Sequence, residues 1–269
     1  MDEAAGNVRL EIGGGTAVIT MVAVGSRNAL NPALVVELDA ALDEVEEHRD
    51  EVRCVVLTAE GKAFSVGADL ASGDGSELID ADGRFDLGLV LDDTYHPLLQ
   101  RLRQLHCPFL TAVNGVAAGG GMSLALMGDL VLAADTAYFV QSFRHIGLAP
   151  DMGSTFMLPR LVGFGRAMEL SLLGEKLDAA TALEWGLVNR VCADDNLMDE
   201  TLSMAARLAT GPTIALGLTR AAYWASVDST YEQQLRIERE NQRLLGLTTD
   251  FASGVRGFLK KEPPTFVGR

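Results

Sequence analysis

Cysteine is nearly absent from this sequence: Cys54, Cys107 and Cys192 are the only three. Widely separated and without C-x-x-C spacing, they suggest neither a disulfide framework nor a metal site, and they read as reduced, mostly buried small residues. Positive charge is also scarce. Lys and Arg number 22 against 37 Asp and Glu, a formal net charge of -15. That balance argues against nucleic acid and anionic membrane surfaces as partners, and an anionic ligand would need its own local cations. No apolar run reaches the roughly 18 residues of a membrane span, because Asp129 and Asp135 interrupt the richest region. The opening Met1-Asp2-Glu3 lacks the basic start of a signal peptide, so a cytoplasmic location is expected.

What is present is ordinary globular material, 48% hydrophobic and 22% charged over 269 residues, enough for a substantial core. The most informative stretch runs from Ala112 to Asp129 and contains Gly119-Gly120-Gly121. It reads as the end of an apolar strand, a small-residue turn, and a helix starting near Met122. Glycines at a helix start admit a second backbone or a ligand, and they leave N–H groups facing outward at the positive end of the helix dipole. Met122 and Ser123 follow Gly121, which excludes a phosphate-binding Gly-Lys-Ser/Thr loop; Gly115-Val116-Ala117-Ala118-Gly119 does not fit a dinucleotide fingerprint. On the glycines alone, tight helix packing and a site for developing negative charge both remain open.

Taken in order, Ala17 to Val24 is a β-rich run. Asn31 caps a helix with Pro32 at its first position and Leu34, Val35, Leu38, Leu42 and Val45 at helical spacing. Val52 to Thr58 is a continuously apolar strand, as expected for burial on both faces. Residues 71–93 form an acidic segment with little periodicity, expected to be a mobile loop lining or covering a pocket and leading into a helix over about 92–105. Further strands are expected at 109–113, 130–134, 137–140 and 187–191, and helices at 156–162 and from Asp178 to Trp185. From Asp195 onward only helices are expected: 195–209, 212–225, 230–245 and 250–259. The alternation predicts an α/β region over 1–194 and a helical region over 195–269 with apolar residues to bury.

The stretches Lys62 to Leu70, Ala112 to Gly121, Gly147-Leu148-Ala149-Pro150, Leu158 to Gly163 and Glu184 to Val188 resemble, in order and spacing over about 18–260, the crotonase family of enoyl-CoA hydratases and isomerases. The resemblance implies a spiral of β-β-α repeats, a C-terminal trimerisation region, a homotrimer or dimer of trimers, and acyl-CoA thioester substrates. Coenzyme A would then be part of the substrate, with no separate cofactor and no metal. It further implies that the backbone N–H groups of Ala68 and Gly120 hold the thioester oxygen, where enolate charge develops along the reaction path.

The sequence departs from the hydratase pattern at the two positions where that family carries catalytic glutamates. These are Ser123 and Phe143, and neither can activate water or deliver a proton. Hydratase activity is therefore not expected. Asp151, after Pro150, stands where some family isomerases carry Glu or Asp, and one carboxylate suffices to move a proton from C2 to C4. An Asp that works near neutrality gains from desolvation, which Phe143, Leu148, Met152 and Phe156 could supply. The resemblance thus implies an enoyl-CoA isomerase with Asp151 as acid/base and Ser123, Phe143 and Leu148 lining the substrate pocket. The competing readings are that Asp151 only caps the helix beginning near Gly153, that it is a nucleophile as in aroyl-CoA dehalogenases, or that the chain binds acyl-CoA without chemistry. Arg27, Lys62, Lys260 and Lys261 are candidates for the coenzyme A phosphates. Asp69 and Asp129 are expected to be structural, His145 to serve packing, and His48, His96 and His106 show no ligand spacing. Ser65 lacks the first glycine of a G-x-S-x-G elbow.

Overall fold

The computed structural model describes residues 6–69, 78–84 and 86–269. Strands that are apolar without alternation need cover on both faces, and Cys54–Ala59 (β3) is used in that way, with all of its residues buried. It lies in a six-stranded sheet ordered β1-β2-β3-β5-β7-β10. The other members are Val8–Gly13 (β1), Thr16–Met21 (β2), Phe109–Val113 (β5), Leu130–Ala134 (β7) and Arg190–Cys192 (β10). Only the β1–β2 pair is antiparallel. A second sheet, ordered β4-β6-β8-β9, holds Ala63–Ser65 (β4), Val116–Ala118 (β6), Tyr138–Val140 (β8) and Leu177–Asp178 (β9). Each of the pairs β3/β4, β5/β6 and β7/β8 therefore gives one strand to each sheet before the chain turns into helical structure, which is the expected spiral of β-β-α repeats.

The helices are Pro32–Glu47 (α1), Gly88–Val90 (α2), His96–Gln104 (α3), Gly120–Ala125 (α4), Ser154–Val162 (α5), Phe164–Leu173 (α6), Ala179–Glu184 (α7), Leu197–Ala209 (α8), Thr213–Ser226 (α9), Tyr231–Leu245 (α10) and Thr249–Lys260 (α11). Asn31 caps α1, its side chain accepting from Leu34 N–H at 2.8 Å, and the expected stripe of α1 faces the core. Between α2 and α3, Leu91–Tyr95 forms a π-turn in which His96 N–H donates to the carbonyl five residues back, at Leu91.

Two local expectations are corrected, the start of α4 and the bounds of the last strand, and β1 and α6 form where the sequence reading assigned no element. β1 alternates between half-buried and exposed residues along its length, a weak signal at a sheet edge. α4 begins at Gly120, two residues before Met122, with Gly119 (φ 51°) as its N-cap. α6 follows α5 directly: Gly163 (φ 81°) breaks the helix and lets it restart. The last strand is Arg190–Cys192, while Leu187 and Val188 are buried in the turn before it. The acidic segment expected as a mobile loop over 71–93 lies outside the described residues at 71–77 and 85; of the remainder, 88–93 is already helical, in α2 and the π-turn that leads into α3.

Within 195–269 the helices differ in what they bury. α8 lies on β3, β5 and β7 with Leu197, Thr201 and Ala205 inward, and so forms part of the core layer. α9 is tied down by Arg220, whose guanidinium donates to both carboxylate oxygens of Asp129 and to the carbonyls of Leu102, Arg103 and Leu105. Asp129 also accepts from Phe109 N–H, which makes it the structural group expected. By contrast α10 buries nothing fully, and Leu247, Phe258 and Leu259 are 75–84% exposed beside an apolar groove of about 410 Å³ between α9, α10 and α11. All three thiols are free, with Cys54 and Cys107 buried and burial raising both pKa values. Among the described residues no helix is long and apolar enough to cross a membrane.

Candidate functional site

Three chain segments converge on one region. The first leaves β4 and turns at Gly67, whose φ of 88° lies in the region that favours glycine. Its carbonyl accepts from Leu30 N–H at 2.8 Å, and Leu30 and Ala68 form an isolated parallel bridge. The second segment leaves β6, turns at Gly119 (φ 51°, ψ -123°) and enters α4. A Cβ on Gly67 would stand 2.8 Å from the Ala118 carbonyl and 3.2 Å from the Gly120 nitrogen, so glycine at 67 is what lets the two turns touch. Gly120 opens its helix and has no acceptor one turn back. Neither its N–H nor that of Ala68 donates to a backbone acceptor among the described residues. The three glycines also divide their labour: Gly121 serves packing, since a Cβ there would lie 2.3 Å from the Ser65 carbonyl.

The third segment is the turn Pro150–Gly153. Met152 has φ 49° and Gly153 φ 84°, and the buried Met152 thioether sits 2.6 Å from where a Gly120 Cβ would be. Asp151, partly buried, is thereby carried against the start of α4. Its carboxyl is pushed up from 3.8 to about 6, chiefly by burial, while His96 and the residue's own backbone N–H pull it down. The competing reading of Asp151 as a helix cap is not met, because the N-cap of α5 is Gly153 and no side chain caps it.

The other expected residues fall as follows. Phe143 is buried, with a ring carbon 3.7 Å from a Cβ built on Gly119, and its carbonyl accepts from Leu148 N–H at 3.0 Å. Leu148 is 38% exposed, and Ser123 only 2%, beneath the Asp151 turn. Arg27 and Lys62 are exposed on loops laced together by Val66 N–H to the Arg27 carbonyl at 3.3 Å and by the Asn28 amide to Glu60 and Ala63 carbonyls. Lys260 and Lys261 are exposed at the end of α11, which packs against the C-terminal segment (Gly257 beside Pro264), and no described contact joins them to the Arg27 and Lys62 loops. His145 meets the Gly174 carbonyl at 3.0 Å, in keeping with packing. The helix that Asp69 is expected to cap lies outside the described residues.

Two residues of the region carried no role in the sequence reading, Tyr95 going unread and His96 being noted only for its lack of ligand spacing. Tyr95 is buried and donates to the Leu30 carbonyl at 2.6 Å; burial, with Asp151 and Asp69 adding, pushes its pKa up to about 12. His96 acts on Asp151 electrostatically, and its Nδ1 meets Asp92 Oδ1 at 3.0 Å. The four-residue spacing of Asp92 and His96 is the available signal; the π-turn before His96, which alters which residues share a face, conceals it.

A family model described as Enoyl-CoA hydratase/isomerase matches residues 11–269. The chain belongs to the enoyl-CoA hydratase/isomerase family. Within that family it is 43% identical to the 1,2-epoxyphenylacetyl-CoA isomerase of Escherichia coli (strain K12), over 90% of this chain and 91% of the relative. It is 44% identical, over 97% and 98%, to a Rhodobacter capsulatus protein named "Probable enoyl-CoA hydratase". The crystal structure of an enoyl-CoA hydratase from Mycobacterium smegmatis superposes with a TM-score of 0.88 at 27% identity, covering 97% of this chain and 98% of that one. The crotonase fold and the acyl-CoA-processing family follow from these likenesses. Relatives carrying both isomerase and hydratase names stand at similar distance, so the reaction has to be argued from the site.

Proposed function

We propose that this member of the family is an enoyl-CoA isomerase that shifts a double bond with Asp151 as its single acid/base. The observation that carries the reading is a part-buried carboxyl, with its pKa raised to about 6, in a site whose two hydratase positions hold Ser123 and Phe143. Ionised Asp151 removes a proton from C2 of a 3-enoyl-CoA, and the electron pair moves through the thioester to its oxygen. The N–H groups of Ala68 and Gly120 stabilise that dienolate oxygen, and Asp151 returns the same proton to C4. No water is added and no oxidant is consumed. Arg27 and Lys62 meet the coenzyme A phosphates. The relative named as a 1,2-epoxyphenylacetyl-CoA isomerase supports isomerisation of an acyl-CoA at a site of this kind. Phe143 and Leu148 form the acyl side of the pocket, Lys260 is a third cation for the coenzyme A phosphates, and the outer helices of 195–269 supply the subunit contacts of a trimer. The location proposed is cytoplasmic.

The test offers the purified protein a 3-enoyl-CoA and a 2-enoyl-CoA separately. Conversion of the 3-enoyl substrate without hydration of either is the expected result; tight acyl-CoA binding with no conversion overturns it. Asp151→Asn should lower turnover on the order of a thousandfold and spare acyl-CoA binding. Activity of the unaltered protein should fall below a pH of about 6 as Asp151 takes up a proton.

A further inference from the structure

We propose that Ser123, backed by Ser154 and Gln141, is a positioning residue that holds Asp151 in register with the Gly120 N–H. The inference rests on the reading of Asp151 above, and its observations are independent of that reading.

The three side chains are buried at 2%, 1% and 0% exposure, and they form a chain whose direction can be derived. Gln141 Nε2 lies 3.3 Å from Met122 Sδ and 3.2 Å from Ser154 Oγ. A thioether only accepts, so the amide presents its N–H₂ here and donates to Ser154. Ser154 Oγ has no other acceptor among the described residues, so its proton goes to Ser123 Oγ, 2.5 Å away. That leaves the Ser123 proton for the Asp151 carbonyl at 3.2 Å, the Gly119 carbonyl at 3.4 Å being the more distant alternative. The Asp151 carbonyl also accepts from Ser154 N–H at 3.0 Å, so two donors fix the peptide plane that follows the Asp151 Cα. Gln141 Oε1 is buried with no partner among the described residues.

The turn held in this way is one that would relax if released. Met152 is in the left-handed region, at φ 49°, a conformation that persists for a non-glycine residue only when its surroundings over-determine it. One constraint is the Met152 thioether on Gly120; the other is Ser123 on Asp151. Both come from α4, and Ser123 lies three residues after Gly120, one turn along the same helix face. A single helical turn therefore carries the proposed oxyanion donor at one end and the anchor of the proposed base at the other.

The experiment compares Ser123→Ala with the equal-shaped pair Ser123→Thr and Ser123→Val, measuring kcat, KM and the pH midpoint of activity on a 3-enoyl-CoA, with circular dichroism to establish folding. Losing the hydroxyl in Ser123→Ala and Ser123→Val should lower kcat by about tenfold with KM within about twofold. The midpoint should move down from about 6 as Asp151 loses its enclosed position. Ser123→Thr should stay within about threefold of the unaltered protein. Equal behaviour of the Thr and Val variants, or an unchanged kcat and midpoint in a folded Ser123→Ala, overturns the proposal. If the unaltered protein proves inactive, the carboxyl titration of Asp151 by NMR, assigned with Asp151→Asn, decides in place of kcat. A midpoint displaced by Ser123→Ala then supports positioning although the isomerase reading has failed, and an unmoved midpoint overturns the positioning as well.

Discussion

Between Gly67 and Gly121 the protein places chemical groups by removing side chains, whereas between Gln141 and Ser154 it places them by adding side chains. At Gly67 the absence of a Cβ brings two turns together, and the Ala68 and Gly120 N–H groups that follow them have no backbone partners among the described residues. At the Asp151 turn a carboxyl stands on a strained backbone that Met152 packs and Ser123 tethers. The first wall is insensitive to side-chain chemistry and intolerant of volume. The second tolerates shape changes better but depends on individual atoms, and on pH.

The largest effect should separate the glycines from one another. Gly121→Ala puts a Cβ 2.3 Å from a backbone carbonyl that cannot swing away, and should destabilise the fold by about 3–5 kcal/mol in urea unfolding. Gly120→Ala meets only the flexible Met152 thioether at 2.6 Å, so the protein should stay folded and lose activity on the order of tenfold or more as the Asp151 turn is displaced. Equal stability losses in the two would erase the difference between packing glycine and site glycine.

A smaller effect concerns the cost of the second wall. Because the folded-state pKa of Asp151 is raised from 3.8 to about 6, the native state binds more protons than the unfolded one between those values. Stability therefore falls as pH rises through that window, and the cost is fully present above it. The full displacement would be roughly 3 kcal/mol, which partial exposure screens to about 1 kcal/mol. Asp151→Asn should thus be more stable than the unaltered protein at pH 7 by about that amount, and equal to it near pH 4. A variant no more stable at pH 7 would show that burial does not disfavour the charge.

The smallest effect is electrostatic. His96 lowers the Asp151 pKa, so His96→Gln should raise the pH midpoint of activity by a few tenths, visible in a pH–rate profile. A midpoint that moves down instead would mean that His96 acts by shielding Asp151 from water.

The first wall was legible in the sequence because glycine is itself the signal: Gly67 and Gly119-Gly120-Gly121 stand where backbone must approach backbone. Strands buried on both faces were legible from the continuous apolar character of Cys54–Ala59 and Phe109–Val113, whereas the spiral was implied by the family resemblance. Asp151 was found by comparing what stands at each position with the chemistry hydration requires. Tyr95 and His96 were not found, because their place depends on a π-turn that shifts the helical repeat, a feature of hydrogen bonding with no mark in hydropathy. Ser123 was expected in the pocket and instead lies beneath the Asp151 turn. Residue type identifies a small polar side chain, while direction comes from Ser154 and Gln141, which approach from other elements.

The π-turn at Leu91–Tyr95 also makes the site depend on counting. Each residue of an ordinary helix turns the chain by about 100°, so the wider turn behaves as one residue inserted into α-helical chain just ahead of His96. Excising a single residue from 91–95 would let the segment close into regular helix and swing either Tyr95 off the Leu30 carbonyl or His96 away from Asp151. Sequence length at this point acts as a functional variable, and homologues that differ by one residue here should differ in what faces the carboxyl.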